Sequence, residues 1–308
     1  MTMDVSIGIM AHNEEKNIGK LLHRLLEEKS TSIREIIVVD DASTDNTATI
    51  VKGIISSKVR LIQFKKRSGK AQAINTFLKS AASDIVMVES ADTIPEKGAI
   101  ENLLRPFEDP HVGMAGARAI PVNLGQTFAD FFGRFIYELH HEVSLKQPKF
   151  GELIAFRNVI EGIPDTYVDE EYIAMMMEGK GYTLAYCPES VFYNKQPEII
   201  REIISRRTRN CIGHLDLKRK GYYASTSSIA NIFPALLRCL NAKDIHLIFL
   251  AILLESYIRI LAGIRFFCEK SDYAWKMATT TKEFSVPLYL SGSIGSKADS
   301  SPSRGTAR

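Results

Sequence analysis

Cysteine is scarce in this chain: four in 308 residues, at Cys187, Cys211, Cys239 and Cys268, with no CxxC pair among them. That spacing argues against a zinc site and against a disulfide framework, and it fits a reducing, cytosolic setting. An excess of charge of one sign is also missing. Lys and Arg number 39 against 36 Asp and Glu, a net charge of +3, too small to imply a nucleic-acid partner. Residues Met1 to Val5 lack the basic start, apolar stretch and cleavage site of a signal peptide, so export by that route is not expected. There is no internal repeat. With 45% hydrophobic and 24% charged residues, the composition excludes both a disordered chain and a multi-span membrane protein. The length allows one large domain, or a domain plus an appendage, with a sizeable core.

What is present is a rhythm. Four short β-branched runs, Val5–Met10, Glu35–Val39, Val59–Phe64 and Ile85–Val88, read as strands. Between them Ile18, Leu21, Leu22, Leu25 and Leu26, then Val51, Ile54 and Ile55, then Ile74, Phe77, Leu78 and Ala81 repeat at three-and-four spacing, the stripe that lays a helix on a sheet. Strand and helix in alternation predict an α/β fold with a mostly parallel sheet and flanking helices. Ligands bind such sheets outside the carboxyl ends of the strands. The polar residues stand there: Asn13 and Glu14 after the first run, Asp40 and Asp41 after the second, Lys65 to Lys70 after the third, Glu89 to Asp92 after the fourth. Beyond Pro95 the pattern mixes, predicting a helix near Lys97–Phe107, a strand near Val112–Ala117, a helix near Phe128–Val143, an acidic helix from about Asp169 and a strand near Thr183–Tyr186. Ile229 to Leu240 and the apolar run Ile245–Phe267 predict two further helices. Three regions are expected: a domain over 1–225, C-terminal helices over 226–290, and a Ser/Gly/Lys/Arg-rich flexible tail over 291–308.

Adjacent carboxylates at a strand tip repel one another, so Asp41 calls for a donor or cation to satisfy it, and the imide N–H of a nucleobase is one such donor. Asp45 or Ser43 suits the cap of the next helix. A Gly–Lys pair opening a helix, Gly69 and Lys70, offers backbone N–H groups, the positive end of the helix dipole and a point charge to a phosphate.

Three blocks, SIGIMAHNEE over 6–15, VVDDASTDNT over 38–47 and SGKAQAIN over 68–75, resemble in order and spacing the signature of family 2 glycosyltransferases with the GT-A fold. The resemblance runs to about Gly221, two thirds of the chain, and weakens after that. It implies a Rossmann-like domain in which Ala11, Asn13 and Glu14 border a nucleotide, Asp41 meets the base and Lys70 approaches the diphosphate. Where the family carries Asp-x-Asp, whose last carboxylate binds a divalent cation, this chain has Glu89, Ser90, Ala91 and Asp92. Asp92 is then the metal ligand. Mg²⁺ or Mn²⁺ needs only one or two protein carboxylates when phosphates supply the rest. Ser90 remains to bond the ribose or sugar, and Glu89 to lend charge from behind.

Transfer of the sugar to a hydroxyl needs a base. The segment Val168–Met177 followed by Gly179–Tyr182 resembles the family's acidic helix and Gly–Tyr turn, aligning Asp169 and Glu170 with its acid pair and putting Glu170 at the base position, with Asp169 as the alternative. Acids also suit a helix N-terminus on dipole grounds alone. Met175, Met176 and Met177 form a packing stripe. The resemblance makes Gly151–Arg157 the floor of the acceptor site, with Arg157 as a candidate. Residues 195–220 hold eight basic against three acidic side chains, open to reading as a solvated helix face, a nucleic-acid patch, a membrane-surface anchor or an anion clamp. Where relatives have Gln/Arg-x-x-Arg-Trp, Arg206 to Asn210 stand here. Arg206 and Arg209 screen the leaving group, and the lost tryptophan speaks against a processive synthase. His214 reads as a core or surface histidine.

Ile245–Ile264 is long enough to span a membrane but contains His246, Glu255 and Arg259. Two charges near a helix centre cost roughly 2.5–3.5 kcal/mol each to insert. Helices on the cytosolic leaflet through 229–268, with Glu255 and Arg259 paired four apart, compete with burial against the domain. The expectation is an inverting, non-processive transferase. It would move a sugar from a nucleoside-diphosphate sugar to a hydroxyl on a glycan or lipid-linked acceptor, in the cytoplasm or at the membrane's cytosolic face. Its rivals are a non-catalytic nucleotide-sugar-binding subunit and a nucleotidyltransferase. The latter would want a Gly-rich phosphate loop after the first strand, where Asn13, Glu14 and Glu15 stand instead.

Overall fold

The computed structural model describes residues 3–28, 32–123, 125–222, 225, 228–268 and 281–282. The expected tail over 291–308 lies outside the described residues. β1 (Val5–Ala11), β2 (Ile33–Asp40), β3 (Val59–Gln63) and β4 (Ile85–Ser90) pair in parallel in the order β3-β2-β1-β4. β1, β2 and β4 are almost wholly buried, which is why they read as unbroken apolar runs. The sheet continues through β7 (Leu153–Arg157), β6 (Val112–Pro121), β8 (Thr183–Asn194) and β5 (Thr93–Pro95). β4–β7, β7–β6 and β8–β5 are antiparallel and β6–β8 is parallel, so four of the seven pairings are parallel.

Helices cover both faces. α1 (Ile18–Leu26), α2 (Thr47–Gly53) and α4 (Ala99–Leu104) contribute Leu21, Leu22, Val51 and Leu103 to one core with Ile7 and Ile9. α3 (Lys70–Ser80) and α6 (Asp169–Gly179) seal the other with Ile74, Phe77, Ile173 and Met177. Met177 is buried and Met176 packs beside it, as the methionine stripe implied. Gly8 faces the Phe77 ring so closely that an added Cβ would lie 2.5 Å from it. Only a residue without a side chain lets β1 and α3 approach this far.

A third core joins α5 (Phe128–Ser144), α7 (Ile200–Arg219) and α9 (Ile245–Cys268) through Phe132, Ile136, Ile203, Ile248 and Ile258. α8 (Ile229–Cys239) packs on α5. The basic segment is therefore one long helix, with Glu202 in its first turn and Lys218 and Arg219 in its last, each opposite in sign to the local end of the helix dipole. α9 buries one side only, and Phe249, Leu253, Tyr257, Ile260 and Ile264 stay at least half exposed.

Candidate active site

Parallel register brings three strand tips together: Ala11 lies beside Asp40 and Met10 beside Ser90. A cleft of about 1030 Å³ opens over them, lined by Ala11, Glu14, Asp41, Lys70, Ser90, Asp92, Asp169, Glu170, Arg206 and Arg209. Ten of the eleven residues expected at the site thus border one cavity, although they come from six separate stretches of chain.

The eleventh, Asn13, does not line it. At φ 55° its backbone turns toward the β2 loop. Its N–H donates to Ser43 Oγ at 2.9 Å, and its Oδ1 accepts from the Thr44 N–H at 2.8 Å. Asn13 therefore staples two loops. Asp45 accepts from the N–H groups of Thr47 and Glu15, but it stands one residue before the helix cap, which is Asn46.

Asp41 is 6% exposed, and its donors come from within the chain. The N–H groups of Ser68 and Gly69 reach its two carboxylate oxygens at 2.6 and 2.9 Å. Two expectations change together. The paired carboxylates do not depend on a ligand for a partner, and these N–H groups serve Asp41 instead of a phosphate. Gly69, at φ 92°, makes the left-handed turn that aims them.

Lys70 departs from expectation as well. Its ammonium is fixed between Asp169 at 2.8 Å and Glu170 at 2.7 Å, so it ties the third strand's loop to the acid pair. Burial opposes its charge, but the two carboxylates outweigh burial and raise its pKa. Burial lifts Asp169 despite Lys70, whereas for Glu170 the attraction of Lys70 outweighs burial and holds the carboxyl below its ordinary range.

Glu89 is fully buried and does not border the cleft. Burial, then the charges of Glu152 and Asp92, push it up to about 8, and Thr93 Oγ1 donates to it. At neutral pH it is protonated and lends no charge. Arg157 is also displaced. It lies opposite Ile85, at the start of β4, where its guanidinium donates to the carbonyls of Val112, Phe107 and Asp109. The acid of that segment that does face the cleft is Glu152, which sequence reasoning passed over. Its Oε1 accepts from Arg206 at 2.7 Å and from the Tyr137 hydroxyl at 2.9 Å. Arg209, one turn further along α7, is lowered by burial and by Arg206, yet a guanidinium stays charged at neutral pH.

His214 lines the cleft instead of a core or the outer surface. Two further residues arrive from the far end of the chain. Thr281 and Lys282 border the cleft, and the Lys282 ammonium donates to the carboxylate of Glu14 and, at 3.1 Å, to the carbonyl of Asn13. Burial and then the charge of Asp92 push Glu14 up to about 7 against the pull of Lys282. No local pattern marks Lys282, because what defines its role lies 268 residues earlier.

As to a divalent cation, no cluster of three His, Cys, Asp or Glu side chains occurs among the described residues. Asp92 nevertheless borders the cleft where the strand tips meet, near enough to Glu14 for its charge to add to the effect of burial there. An all-oxygen donor set with one available carboxylate fits Mg²⁺ or Mn²⁺ whose other ligands are phosphate oxygens.

The sheet order and the cleft at the strand tips define the GT-A class. Residues 6–155 match the family model described as glycosyl transferase family 2, so this segment, which holds the strand tips under the cleft, is a domain of that family. It is 27% identical over 171 residues to an uncharacterized protein of Mycobacterium tuberculosis (strain CDC 1551 / Oshkosh), covering 56% of this chain and 52% of that protein. It is 33% identical over 111 residues to the poly-beta-1,6-N-acetyl-D-glucosamine synthase of Staphylococcus aureus (strain COL), covering 35% of this chain and 27% of the synthase. The matches thus span about half and about a quarter of those relatives. Among solved structures, a mannosyltransferase from Pyrobaculum calidifontis in complex with GDP-Man and Mn²⁺ superposes with a TM-score of 0.63 at 22% identity, covering 87% of this chain and 88% of that one. Glucosyl-3-phosphoglycerate synthase from Mycobacterium tuberculosis, in complex with Mn²⁺, UDP and phosphoglyceric acid, gives 0.50 at 17% identity, covering 68% and 76%. At these identities the structural likeness speaks for the fold.

Proposed function

We propose that the protein is an inverting, non-processive glycosyltransferase that moves a sugar from a nucleoside-diphosphate sugar to a hydroxyl on a glycan or lipid-linked acceptor. The carrying observation is that the strand tips bearing Ala11, Asp41 and Asp92, the acid pair opening α6 and the arginines of α7 all border one cleft. Inversion is taken from the family resemblance. Ala11, Glu14 and Asp41 border the nucleotide, and Ser90 bonds ribose or sugar. Glu170 accepts the proton of the attacking hydroxyl as its oxygen bonds the anomeric carbon, and the bond from that carbon to the diphosphate breaks. Arg206 and Arg209 offset the charge on the departing nucleoside diphosphate. Lys70 keeps Glu170 ionised so that it can accept, and Asp169 shares the ammonium. A divalent cation, Mn²⁺ or Mg²⁺, held by Asp92 supplies further charge neutralisation when bound.

The outer side of α9 and the adjoining α8 supports a reading in which residues 229–268 rest on the cytosolic face of a membrane as an appendage to the domain. By length and composition the segment Ala242–Cys268 also suffices to cross one.

Turnover with a panel of nucleotide sugars decides the catalytic reading. Glu170→Gln is expected to lose turnover by at least about 100-fold, the scale of a general base, while keeping nucleotide binding, and Asp92→Ala to lose the response to Mn²⁺. Nucleotide-sugar binding with no turnover, unchanged by Glu170→Gln, would leave a binding subunit, the reading that Ser90 and Asn210 favour.

A further inference from the structure

Past the acid pair the cleft continues between α5, α7 and α9, and its lining changes character. His140 on α5 and His214 on α7 both border it, and neither imidazole has a hydrogen-bond partner among the described residues. Three cations face them. Lys149, just before β7, donates to the Phe150 carbonyl at 2.9 Å. Arg207 on α7 grips Glu255 through two bonds of 2.7 and 2.8 Å, and Arg259 on α9 holds the same carboxylate at 3.0 Å. One acid therefore serves two guanidiniums. The other acids near Lys149 are Glu170, already held by Lys70, and Glu171, on which the Tyr222 hydroxyl bonds.

Burial and the neighbouring cations both keep the imidazoles neutral. Burial, then Lys149 and Arg207, push His214 down to about 3, and the same influences hold His140 well below its ordinary value. Two neutral rings with N–H groups to give, an ammonium and two guanidiniums converge on open space from four parts of the chain. A sugar hydroxyl needs no such field. A tetrahedral dianion does, since it takes donors from several directions at once.

We propose that this end of the cleft is an acceptor subsite for a phosphate group, bounded by His140, His214, Lys149, Arg207 and Arg259. The inference rests on the transferase reading above and narrows it: the acceptor whose hydroxyl faces Glu170 carries a phosphate. Lys149 links the two positions, because its charge acts on Glu170 as well as on both histidines. The phosphate belongs to a soluble metabolite or to a lipid, and the outward apolar side of α9 puts a membrane source within reach of Arg259.

The histidine ring resonances of the full chain report the subsite directly, with His140→Gln and His214→Gln as assignments. The protein is first saturated with a nucleoside diphosphate, so that added phosphate meets only the acceptor end. Inorganic phosphate and glycerol 3-phosphate are expected to shift both rings saturably, and glycerol to shift neither. Lys149→Met, a change at a half-buried position, is expected to weaken phosphate binding about tenfold, the worth of one charge-assisted bond. Phosphatidylcholine vesicles with and without phosphatidic acid form the lipid arm. A response to phosphatidic acid stronger than to glycerol 3-phosphate assigns a lipid acceptor, and the reverse assigns a soluble one. Rings that respond to none of these probes, or phosphate affinity unchanged in both Lys149→Met and Arg259→Met, would overturn the subsite. If nucleoside diphosphate still raises the melting temperature in that case, only the subsite fails. If it does not bind, the transferase reading fails too, and the same titration on unloaded protein still decides the subsite.

Discussion

At the scale of single residues, the site is governed by where protons and charges settle. Lys70 neutralises the acid pair, so removing it should raise the Glu170 pKa. In Lys70→Met the acid limb of the pH dependence of kcat/KM is expected to move up by about one pH unit or more, the usual effect of one close opposite charge. An unmoved limb would show that Glu170 is not the titrating base. Glu89 offers a test on stability. Its folded-state pKa of about 8 stands above the ordinary 4.5, so between those values the native state holds a proton that the unfolded chain has released. Stability should then fall as pH rises across that window, with the loss complete above about 8. Glu89→Gln, measured by urea midpoints from pH 5 to 8.5 in EDTA, is expected to flatten that slope and to be the more stable protein at the alkaline end. These partners were not legible in advance. The run of acids at 169–171 announced a functional helix start, but nothing local says that Lys70, a hundred residues earlier, points at it rather than at a phosphate.

Elements were more legible than partners. The early strands and helices appear where their period put them, because a buried parallel strand must be apolar throughout and a covering helix must be apolar on one side; the exception is α2, which ends at Gly53, so that of Val51, Ile54 and Ile55 only Val51 is helical and buried, while Ile54 is extended and Ile55 fully exposed. β5, three residues ending in Pro95, is too short to carry a period and shows only through its pairing with β8. The contact of Gly8 with Phe77 joins β1 to α3. Gly8→Ala is expected to cost about 1–3 kcal/mol, the usual penalty for overpacking, read from urea unfolding, with Phe77→Leu restoring part of it. α9 carries its own test. Replacing Phe249 and Leu253 with serine should cut flotation with liposomes, if the exposed side rests on lipid, while leaving the melting temperature nearly unchanged. Equal flotation of both proteins would remove the membrane from the account.

At the scale of the molecule, the cleft exists because two halves of the chain meet over one sheet. The first half supplies the strand tips, and the second supplies acids, arginines and the basic far end. A ligand bound only by the folded form stabilises it by about 2.7 kcal/mol at a hundred times its Kd. A nucleoside diphosphate is therefore expected to raise the melting temperature by several degrees, and Glu170→Gln to keep that rise. Asp41→Ala should lose it, because the change frees the Ser68–Gly69 turn and removes a carboxylate proposed to border the nucleotide.

By itself the sequence determined the alternation of strand and helix, the row of polar residues at strand ends and the acidic start of α6. Periodicity and turn chemistry act over a few residues and so can be read in a line. Only the tertiary structure decided which of those groups face one another: Asp41 to its own backbone turn, Lys70 to the acids, Lys282 to Glu14, and His140 and His214 to the open end of the cleft. Hydrogen bonds and charges act through space, and the distances that select their partners exist only once the sheet has brought distant stretches together.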